Sequence, residues 1–562
     1  IDTSNLKATL NYNIYEGKVS YYGKVKLLGL EKVPGSTKKK FNDEVKFDPN
    51  DRYQQSMVQQ KVQLGVSILL NSGFIFAQFD STIILTDTLR QQANMNLFFT
   101  TGNEYRIDTV IVATSGDGAP YVKEDMLREI SDIKKGDLYN LDKIRNSQQR
   151  LFRTGLFNSI VISDVENDTT DSKVPIKLEA NIGKLNELSP EIILNNQQSA
   201  FNAGLGLSYI RKNFLGNARK LTVSTSFGVQ DLFNVDYGRL FQKFSFRDTT
   251  LLGYFDSRLT VEQPFLFRRP IFGTWENYAT INKQPQYNNT VYGSKITFDF
   301  ELPRFTAINF LSTYYNVEQS NEVYRMNRDS LSRKILSIVG AEFGRTTTND
   351  ILFPTEGYLI SILFEEANSL PYIIGKIGGN EFNGSLFYKT LLNASYYLSL
   401  NQRNMSIFAT KFKIGRIQTY YGDYAGLPLN RTFYAGGSNS VRGWRSNELV
   451  PGNATTVYGI TGANVKGGTF LVEGSFEWRF KIVPSFGFAM FFDYGDTWIG
   501  YKRFRWDDLA LSPGVGLRYY SSIAPFRLDF AFKLYNPFDK MWINKKNFWN
   551  NINIHFGIGE AF

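Results

Sequence analysis

The chain has 562 residues, a formal net charge of +10, no cysteine and a single histidine. Disulfide scaffolds and metal sites built from cysteine or histidine clusters are therefore nearly excluded. The basic residues are scattered along the chain, so we expect no nucleic-acid partner. The chain contains no run of about 18 apolar residues, and a transmembrane helix is not expected. The mean hydropathy of −0.27 is compatible with membrane strands, which alternate apolar and polar residues.

The N-terminal third of the chain carries an internal repeat. An alternating strand that ends in a glycine occurs three times, at residues 10–17, 95–102 and 176–183. The glycines recur about every 80 residues, which is the size of a small domain. In the later copy, a helix is predicted over residues 141–153 after the cap residue Asn140, followed by a strand at 156–162. Each unit is thus predicted to run strand, helix, helix, strand, strand.

This order of elements, with the phrase Leu-Phe-Arg-Thr-Gly-Leu-Phe at residues 151–157, resembles the polypeptide-transport-associated (POTRA) domain. The resemblance implies the end of one POTRA domain at 1–17 and two further domains at 18–102 and 103–186. Strands of such domains are expected to accept an extended client or an accessory subunit by β-augmentation. From this region alone, a generic two-layer α+β domain that binds nothing is the alternative.

From about residue 188 onward, alternating segments separated by polar or glycine-containing turns replace the helical patterns. We predict that residues 187–562 form a transmembrane antiparallel β-barrel of about 16 strands, because an even number of strands closes without unpaired edges. A soluble β-sandwich is the alternative. It accounts less well for segments such as 525–535, where Arg527 and Asp529 lie opposite a face of phenylalanine and leucine.

The alternation also predicts which side chains face the barrel interior. Between residues 485 and 496 the even positions are mainly aromatic, whereas Asp493 lies at an odd position. In the preceding segment, 470–480, Glu477 alternates with aromatic residues in the same way. Since the apolar face of a membrane strand contacts lipid, Glu477 and Asp493 are predicted to point inward.

Ahead of these two segments, a glycine-rich loop at residues 434–446 carries a single central arginine, Arg442. Around it stand Gly436, Gly437, Val441, Gly443 and Trp444. If the loop folds back into the barrel, the guanidinium meets Glu477 and Asp493 and forms strong hydrogen bonds that fix its orientation. A solvated surface turn, with Arg442 in water, is the alternative that the spacing leaves open.

Three phrases, at residues 436–444, 474–477 and 491–495, resemble conserved motifs of the BamA/TamA superfamily of outer-membrane insertases and translocases. The resemblance implies that Arg442 is held inside the barrel. The residues implied as its anchors in the lumen are Glu477, Phe491, Asp493 and Gly495. The final residues, 554–562, are similar to a closing strand with the C-terminal aromatic residue, here Phe562, of outer-membrane barrels.

The closing strand is predicted to form one side of a lateral seam. In its register Phe556 faces lipid, whereas His555, Gly557 and Gly559 face inward, and glycines weaken strand pairing. Poor pairing with the first strand, near 188–195, would leave an edge that pairs with client strands, as the family resemblance implies. Ordinary closure of the barrel is the alternative. His555 has no second histidine with which to form a metal site.

The resemblance implies an outer-membrane insertase or translocase that assists the folding of β-barrel proteins, with its POTRA domains in the periplasm of a Gram-negative-type bacterium. The expected partners are unfolded outer-membrane clients, accessory periplasmic or lipoprotein subunits, and the lipid bilayer. A two-partner-secretion-type export pore and a passive channel with scaffolding domains are the alternatives. The sequence shows no Walker loop, Gly-x-Ser-x-Gly elbow or metal cluster, so we expect no enzyme activity and no cofactor.

Overall fold

The computed structural model of the protein forms two compact units, one ending at Gly183 and the other beginning at Lys184. It describes residues 18–165, 172–195, 202–229, 253–267, 269–283, 287–302, 307–324, 331–350, 353–379, 382, 384–401, 404–451, 466–521, 525–538, 540–542 and 551–562. The predicted POTRA remnant at 1–17 lies outside these residues. Among the described helices, none has the length and apolar character needed to span a membrane.

The first unit contains two copies of one α+β arrangement. The first copy comprises β1 (Tyr21–Leu28), α1 (Gly35–Glu44), α2 (Gln55–Leu70), β2 (Gln78–Asp87) and β3 (Gln92–Thr100). Its sheet has the order β1-β3-β2, with β1 parallel and β2 antiparallel to β3. Phe41, Leu69 and Leu97 are completely buried between the helices and the sheet, so burial of one apolar face holds the two layers together.

The second copy repeats the same order and sheet topology. It comprises β4 (Arg106–Ser115), α3 (Glu124–Ser131), α4 (Leu141–Arg153), β5 (Phe157–Asp164) and β6 (Lys173–Ile182), with sheet order β4-β6-β5. The predicted order strand, helix, helix, strand, strand is therefore found in both copies. The predicted helix at 141–153 has the bounds of α4.

Asn140 caps α4, as predicted, because its Oδ1 accepts a hydrogen bond from Lys143 N at 2.8 Å. Its Nδ2 also donates to the carbonyl oxygen of Asn71 at 2.9 Å. Asn140→Ala should cost about 1 kcal/mol and accelerate amide exchange in the first turn of α4 about fivefold. Hydrogen exchange of the full chain tests this, with Asn158→Ala as the control. Unchanged exchange in that turn would contradict the capping role.

The second unit is a closed antiparallel barrel, with sixteen strands in the part of the wall that the structure describes. They are β7 (Asn186–Asn195), β8 (Asn202–Arg211), β9 (Lys220–Val229), β10 (Gly253–Gln263), β11 (Ile271–Lys283), β12 (Tyr287–Phe300), β13 (Phe310–Tyr324), β14 (Leu331–Thr346), β15 (Gly357–Ala367), β16 (Leu386–Ser399), β17 (Ser406–Tyr421), β18 (Phe470–Val483), β19 (Phe486–Trp498), β20 (Ala510–Tyr520), β21 (Pro525–Phe532) and β24 (Ile552–Ile558). A short pair, β22 (Tyr535–Asn536) and β23 (Met541–Trp542), lies between β21 and β24, and helix α5 (Ser369–Ile377) lies between β15 and β16.

Side chains alternate between the two faces of the barrel wall. Trp478 and Met490, at even positions, are about half exposed on the outer face, whereas Glu477 and Asp493, at odd positions of the same two strands, are completely buried inside. Apolar residues outside and charged residues inside are what a membrane barrel requires, and the reverse of a soluble barrel. The predicted transmembrane antiparallel barrel is confirmed, and the β-sandwich alternative is wrong.

The barrel closes where β24 lies next to β7. β24 pairs with β21 along its whole length, but the described residues show no comparable residue-by-residue register between β24 and β7. The prediction that the closing strand reaches Phe562 is wrong. β24 ends at Ile558 because Gly559 adopts a left-handed conformation, with φ 79°. The last residues turn into the lumen, where the backbone oxygen of Phe562 accepts a hydrogen bond from Arg479 Nη2 at 3.0 Å.

Candidate functional site

The glycine-rich loop between β17 and β18 lies inside the barrel. Val441 and Trp444 are buried and pack in an apolar cluster with Leu336 and Phe387 of the barrel wall. Gly436 and Gly437 have φ angles of 96° and 107°, a region that side-chain-bearing residues rarely adopt. This conformation turns the chain so that Gly437 N donates to the carbonyl oxygen of Trp444 at 2.9 Å.

Arg442 contacts both of the acids that the sequence assigned to it. Its Nε and Nη2 donate to the two carboxylate oxygens of Asp493, each at 2.8 Å, and its Nη1 donates to Glu477 Oε2 at 3.0 Å. Its guanidinium carbon lies 3.4 Å from the centroid of the Phe491 ring, a cation–π contact. The alternative of a solvated turn is wrong, since only 1% of the Arg442 side chain is exposed.

A third acid, Asp529 on β21, also binds Arg442, through Oδ2 at 3.1 Å from Nη1. Burial by itself lowers the pKa of Arg442, but the charges of Asp493 and Glu477 outweigh burial and raise the pKa above its ordinary value. The guanidinium therefore stays charged at any physiological pH.

Arg442 belongs to a larger buried network of ion pairs. Within the described residues, ion pairs connect four arginines and four acids on the loop, the strands and the chain end: Arg442, Arg479, Arg518, Arg527, Glu477, Asp493, Asp529 and Glu560. All eight side chains are almost completely buried, and their charges balance. Because neighbouring groups of opposite charge repay much of the cost of removing ions from water, the network holds the loop in one geometry.

The sequence identified several of these charges as inward-facing without identifying their partners. Alternation alone predicted that Arg527 and Asp529 face the lumen. The ion pair between Arg442 and Asp529 could not be predicted, because more than 80 residues separate the two in the sequence. Glu560 reaches Arg518 at 2.8 Å only because the chain turns at Gly559. Alternation of apolar and polar residues predicts strands, but it does not predict where the chain leaves a strand and turns into the lumen.

The loop also contacts the last strand of the barrel. His555 Nε2 donates to the carbonyl oxygen of Arg442 at 2.7 Å, and Asn553 Nδ2 donates to the carbonyl oxygen of Gly443. A Cβ on Gly443 would lie 2.7 Å from Ser512 Oγ, so glycine permits this close approach. The loop therefore rests on the side of the barrel where the wall closes.

The other residues predicted for the loop anchor and the closing strand are not among the charged side chains of the ion-pair network. Gly495 allows β19 to approach β18, because a Cβ there would lie 2.7 Å from the Cβ of Glu473. Gly557 pairs with Arg527 in the ladder between β24 and β21. Phe556 faces outward, with its ring centroid 6.2 Å from that of Phe526. Phe562, by contrast, lies in the lumen near Tyr397, with their ring centroids 6.3 Å apart.

A second anchor, which the sequence did not reveal, holds the start of the same connection to another part of the wall. Arg431 Nε donates to Glu318 Oε1 on β13 at 2.9 Å, and its Nη1 donates to Glu365 Oε1 on β15 at 3.2 Å. Nearby, Leu429 N donates to Glu322 Oε1 at 2.6 Å. Arg431 and Arg442 together attach one connection to two separate parts of the lumen wall.

Arg431→Ala should weaken this second anchor, because it leaves Glu318 and Glu365 without their shared cation. The loss of charged hydrogen bonds should cost about 1.5–3 kcal/mol locally and raise amide exchange in residues 427–433 about tenfold or more. Hydrogen exchange of the reconstituted full chain measures this. The matched control is Arg503→Ala, which removes an exposed arginine from the loop after β19. Equal exchange in both variants would show that Arg431 does not anchor the loop.

The described residues contain no group of three or more His, Cys, Asp or Glu side chains placed to hold a metal ion. The lumen instead holds a polar cavity of about 790 Å³ on the side of Arg431, bordered by Arg258, Glu276 and Tyr278. The barrel thus contains a loop that Arg431 and Arg442 hold in place, and its lumen is lined with charged side chains.

Residues 213–562 match the Omp85 superfamily domain, which covers more than half of the chain. The chain belongs to the Omp85 superfamily. Within the first unit, residues 112–182 match the surface antigen variable number repeat, the POTRA family. A POTRA region followed by an Omp85 barrel is the architecture that the sequence predicted.

Two relatives are outer membrane protein assembly factors named BamA. The protein from Nitratidesulfovibrio vulgaris is 23% identical over 515 residues, covering 87% of this chain and 57% of its own length. The protein from Neisseria meningitidis serogroup B is 22% identical over 294 residues, covering 44% of this chain and 34% of its own. The Omp85 chain thus spans little more than half the length of the first relative. These relatives and the barrel point to the outer membrane.

Solved structures share the fold. BamA from Haemophilus ducreyi lacking POTRA domains 1–3 has a TM-score of 0.53 at 15% identity, with 95% of this chain and 98% of that chain covered. CdiB from Acinetobacter baumannii also has a TM-score of 0.53, at 13% identity, with 99% and 93% covered. At such identities the likeness concerns the fold of this Omp85 protein.

Proposed function

We propose that this Omp85 protein is an outer-membrane insertase that assists the folding of β-barrel clients. The observation that carries the proposal is the lumen loop, which Arg442 attaches to β18, β19 and β21 and which also contacts β24. A loop that rests on the closing strand couples the interior of the barrel to the place where a client strand would enter. The relation to assembly factors named BamA supports the same role.

In this proposal the client pairs with an edge at the seam between β24 and β7. The limited contact between these strands supports it, because a strand edge that is only partly paired can serve as a template for another strand. The outer face of β7 carries the strongly exposed Leu188 and Ile192, a suitable lipid-facing edge. Gly557 and Gly559 near the end of β24 favour opening, because glycine contributes little side-chain packing.

The POTRA units, proposed to lie in the periplasm, would bind clients or accessory periplasmic or lipoprotein subunits. β2 is an edge strand of the first sheet, and its consecutive residues Ile83, Ile84 and Leu85 are all exposed. An exposed apolar edge strand suits the addition of an extended peptide by main-chain hydrogen bonds. The work is proposed to be non-enzymatic, since strand pairing and a deformed bilayer require no bond-making chemistry.

The test is the folding of a small denatured outer-membrane barrel into liposomes that contain the full-length protein, compared with empty liposomes. We expect faster folding with the wild type, little acceleration with Arg442→Ala, and wild-type acceleration with Arg445→Ala, which changes an exposed arginine of the same loop. If folded wild-type protein gave no acceleration, the insertase proposal would be rejected.

A polypeptide export pore is the second candidate, supported by the fold shared with CdiB and by the polar cavity of about 790 Å³ in the lumen. An export pore predicts that an unfolded polypeptide placed on the POTRA side of the liposome membrane becomes accessible to protease on the other side. An insertase predicts that the client stays in the membrane. The same liposomes therefore distinguish the two functions.

A further inference from the structure

Helix α5, between β15 and β16, exposes an apolar stripe. Its nine residues contain one charged side chain, Lys376, and none of them is buried. The exposed members follow the spacing i, i+3, i+4, i+7 and are Leu370 (44%), Ile373 (51%), Ile374 (68%) and Ile377 (83%). A surface helix in water normally turns such a stripe toward the protein core. This stripe faces away from its own chain, so it requires an apolar partner.

The helix is held firmly at the rim of the barrel. Asn368, which precedes it, exchanges hydrogen bonds with Ser337 on β14: Asn368 N donates to Ser337 O at 2.7 Å and Ser337 N donates to Asn368 Oδ1 at 2.9 Å. Asn368 Nδ2 also donates to Ser385 O at 2.9 Å, which ties both ends of the connection together. Tyr372 packs against Tyr421 of β17, with ring centroids 5.5 Å apart. The exposure of the stripe is therefore a property of a fixed helix.

The stripe continues the lipid-facing surface of the barrel. On β15 the outward residues Ile360, Ile362 and Phe364 are all exposed. The next outward residue is Glu366, whose Oε1 accepts hydrogen bonds from Ser369 Oγ and Tyr420 Oη, both at 2.6 Å. A carboxylate and a tyrosine hydroxyl that follow an apolar belt mark the level of the lipid headgroups.

We propose that α5 is an interfacial helix whose apolar stripe inserts among the acyl chains at the barrel rim. Since β15 runs in the same direction as β7, eight antiparallel steps earlier, α5 lies at the end of the barrel opposite to the start of β7, in the distal leaflet. Its length, apolar face and single lysine suit a helix that lies in the membrane plane, with the lysine extending to the headgroups. This inference rests on the membrane barrel and is independent of the proposed insertase activity.

The absence of cysteine allows a direct test in the full-length protein. Ile374→Cys and Ile377→Cys are each labelled with an environment-sensitive fluorophore and reconstituted in liposomes whose lipids carry quenchers at a shallow or a deep acyl position. Phe364→Cys, on the outer face of β15, is the lipid-facing reference. Glu356→Cys, on the exposed turn before β15, is the water-facing reference.

We expect the shallow quencher to reduce the fluorescence of both helix labels at least about twofold more than that of the Glu356 label, with emission close to that of the Phe364 label. Aqueous iodide should quench the Glu356 label selectively. Iodide quenching of the helix labels equal to that of Glu356 would overturn the proposal. So would self-quenching that grows with protein density, since this would identify a second copy of the chain as the partner.

Discussion

Replacing Arg442 with alanine should destabilise the folded barrel by about 3–5 kcal/mol, the usual cost of removing one partner from a buried ion pair. Asp493 loses two hydrogen bonds of 2.8 Å and Glu477 loses one of 3.0 Å. Asp493 then remains buried without the arginine that pairs with it, whereas Glu477 keeps its ion pairs with Arg479 and Arg518. The fraction of folded protein in increasing urea, followed by the mobility of unheated samples in gel electrophoresis, measures the change.

Two further variants test whether the lost ion pairs cause the destabilisation of Arg442→Ala. Arg442→Lys keeps the positive charge but cannot bind both oxygens of Asp493 in one plane, so its stability should lie between those of wild type and Arg442→Ala. Arg445→Ala changes an exposed arginine three positions away and should behave like wild type. If Arg442→Ala unfolded at the wild-type urea concentration, the network would not support the barrel.

The second large effect concerns the end of the chain. Glu560→Gln should also destabilise the barrel by about 3–5 kcal/mol, since it leaves a net positive charge in a buried network that is otherwise balanced. The Glu560 carboxylate lies 2.8 Å from Arg518 and 3.7 Å from Arg479. The same urea experiment measures the loss, with Glu356→Gln on an exposed turn as the control.

A double-mutant cycle separates charge balance from simple loss of packing. Arg479→Met removes one cation, so the combination with Glu560→Gln restores equal numbers of charges in the network. The double variant should be more stable than the sum of the single effects predicts, by about 0.5–3 kcal/mol. Strict additivity would show that Glu560 and Arg479 are not coupled, and the charge-balance explanation would be rejected.

The buried ion-pair network fixes the position of the loop more than it stabilises the fold. A buried ionic network stabilises a protein little more than an apolar core of the same volume, but its opposite charges are paired in only one arrangement. In this barrel that arrangement places the loop against β24, through the bond from His555 to the carbonyl oxygen of Arg442. Changes in the network should therefore be transmitted to the seam that the proposed function requires.

The sequence by itself determined the local elements and the two faces of the wall. Alternation with period two is a property of each strand, so Glu477 and Asp493 were assigned to the lumen without any knowledge of their neighbours. The cap at Asn140 and the bounds of α4 were likewise predictable, because a helix start depends on a few consecutive residues. The anchors of Arg442 were indicated by the order and spacing of three motifs, at residues 436–444, 474–477 and 491–495, because each motif by itself is weak.

Only the tertiary structure decided which distant groups meet. Asp529 joins Arg442, and Arg431 joins Glu318 and Glu365, because barrel closure brings strands far apart in sequence around one lumen. The inward turn at Gly559, which moves Glu560 and Phe562 from the wall into the network, overturned the expectation of a straight closing strand. Alternation specifies the face on which a side chain lies, whereas its partner depends on strand register and on the path of the loops, which are set by the whole barrel.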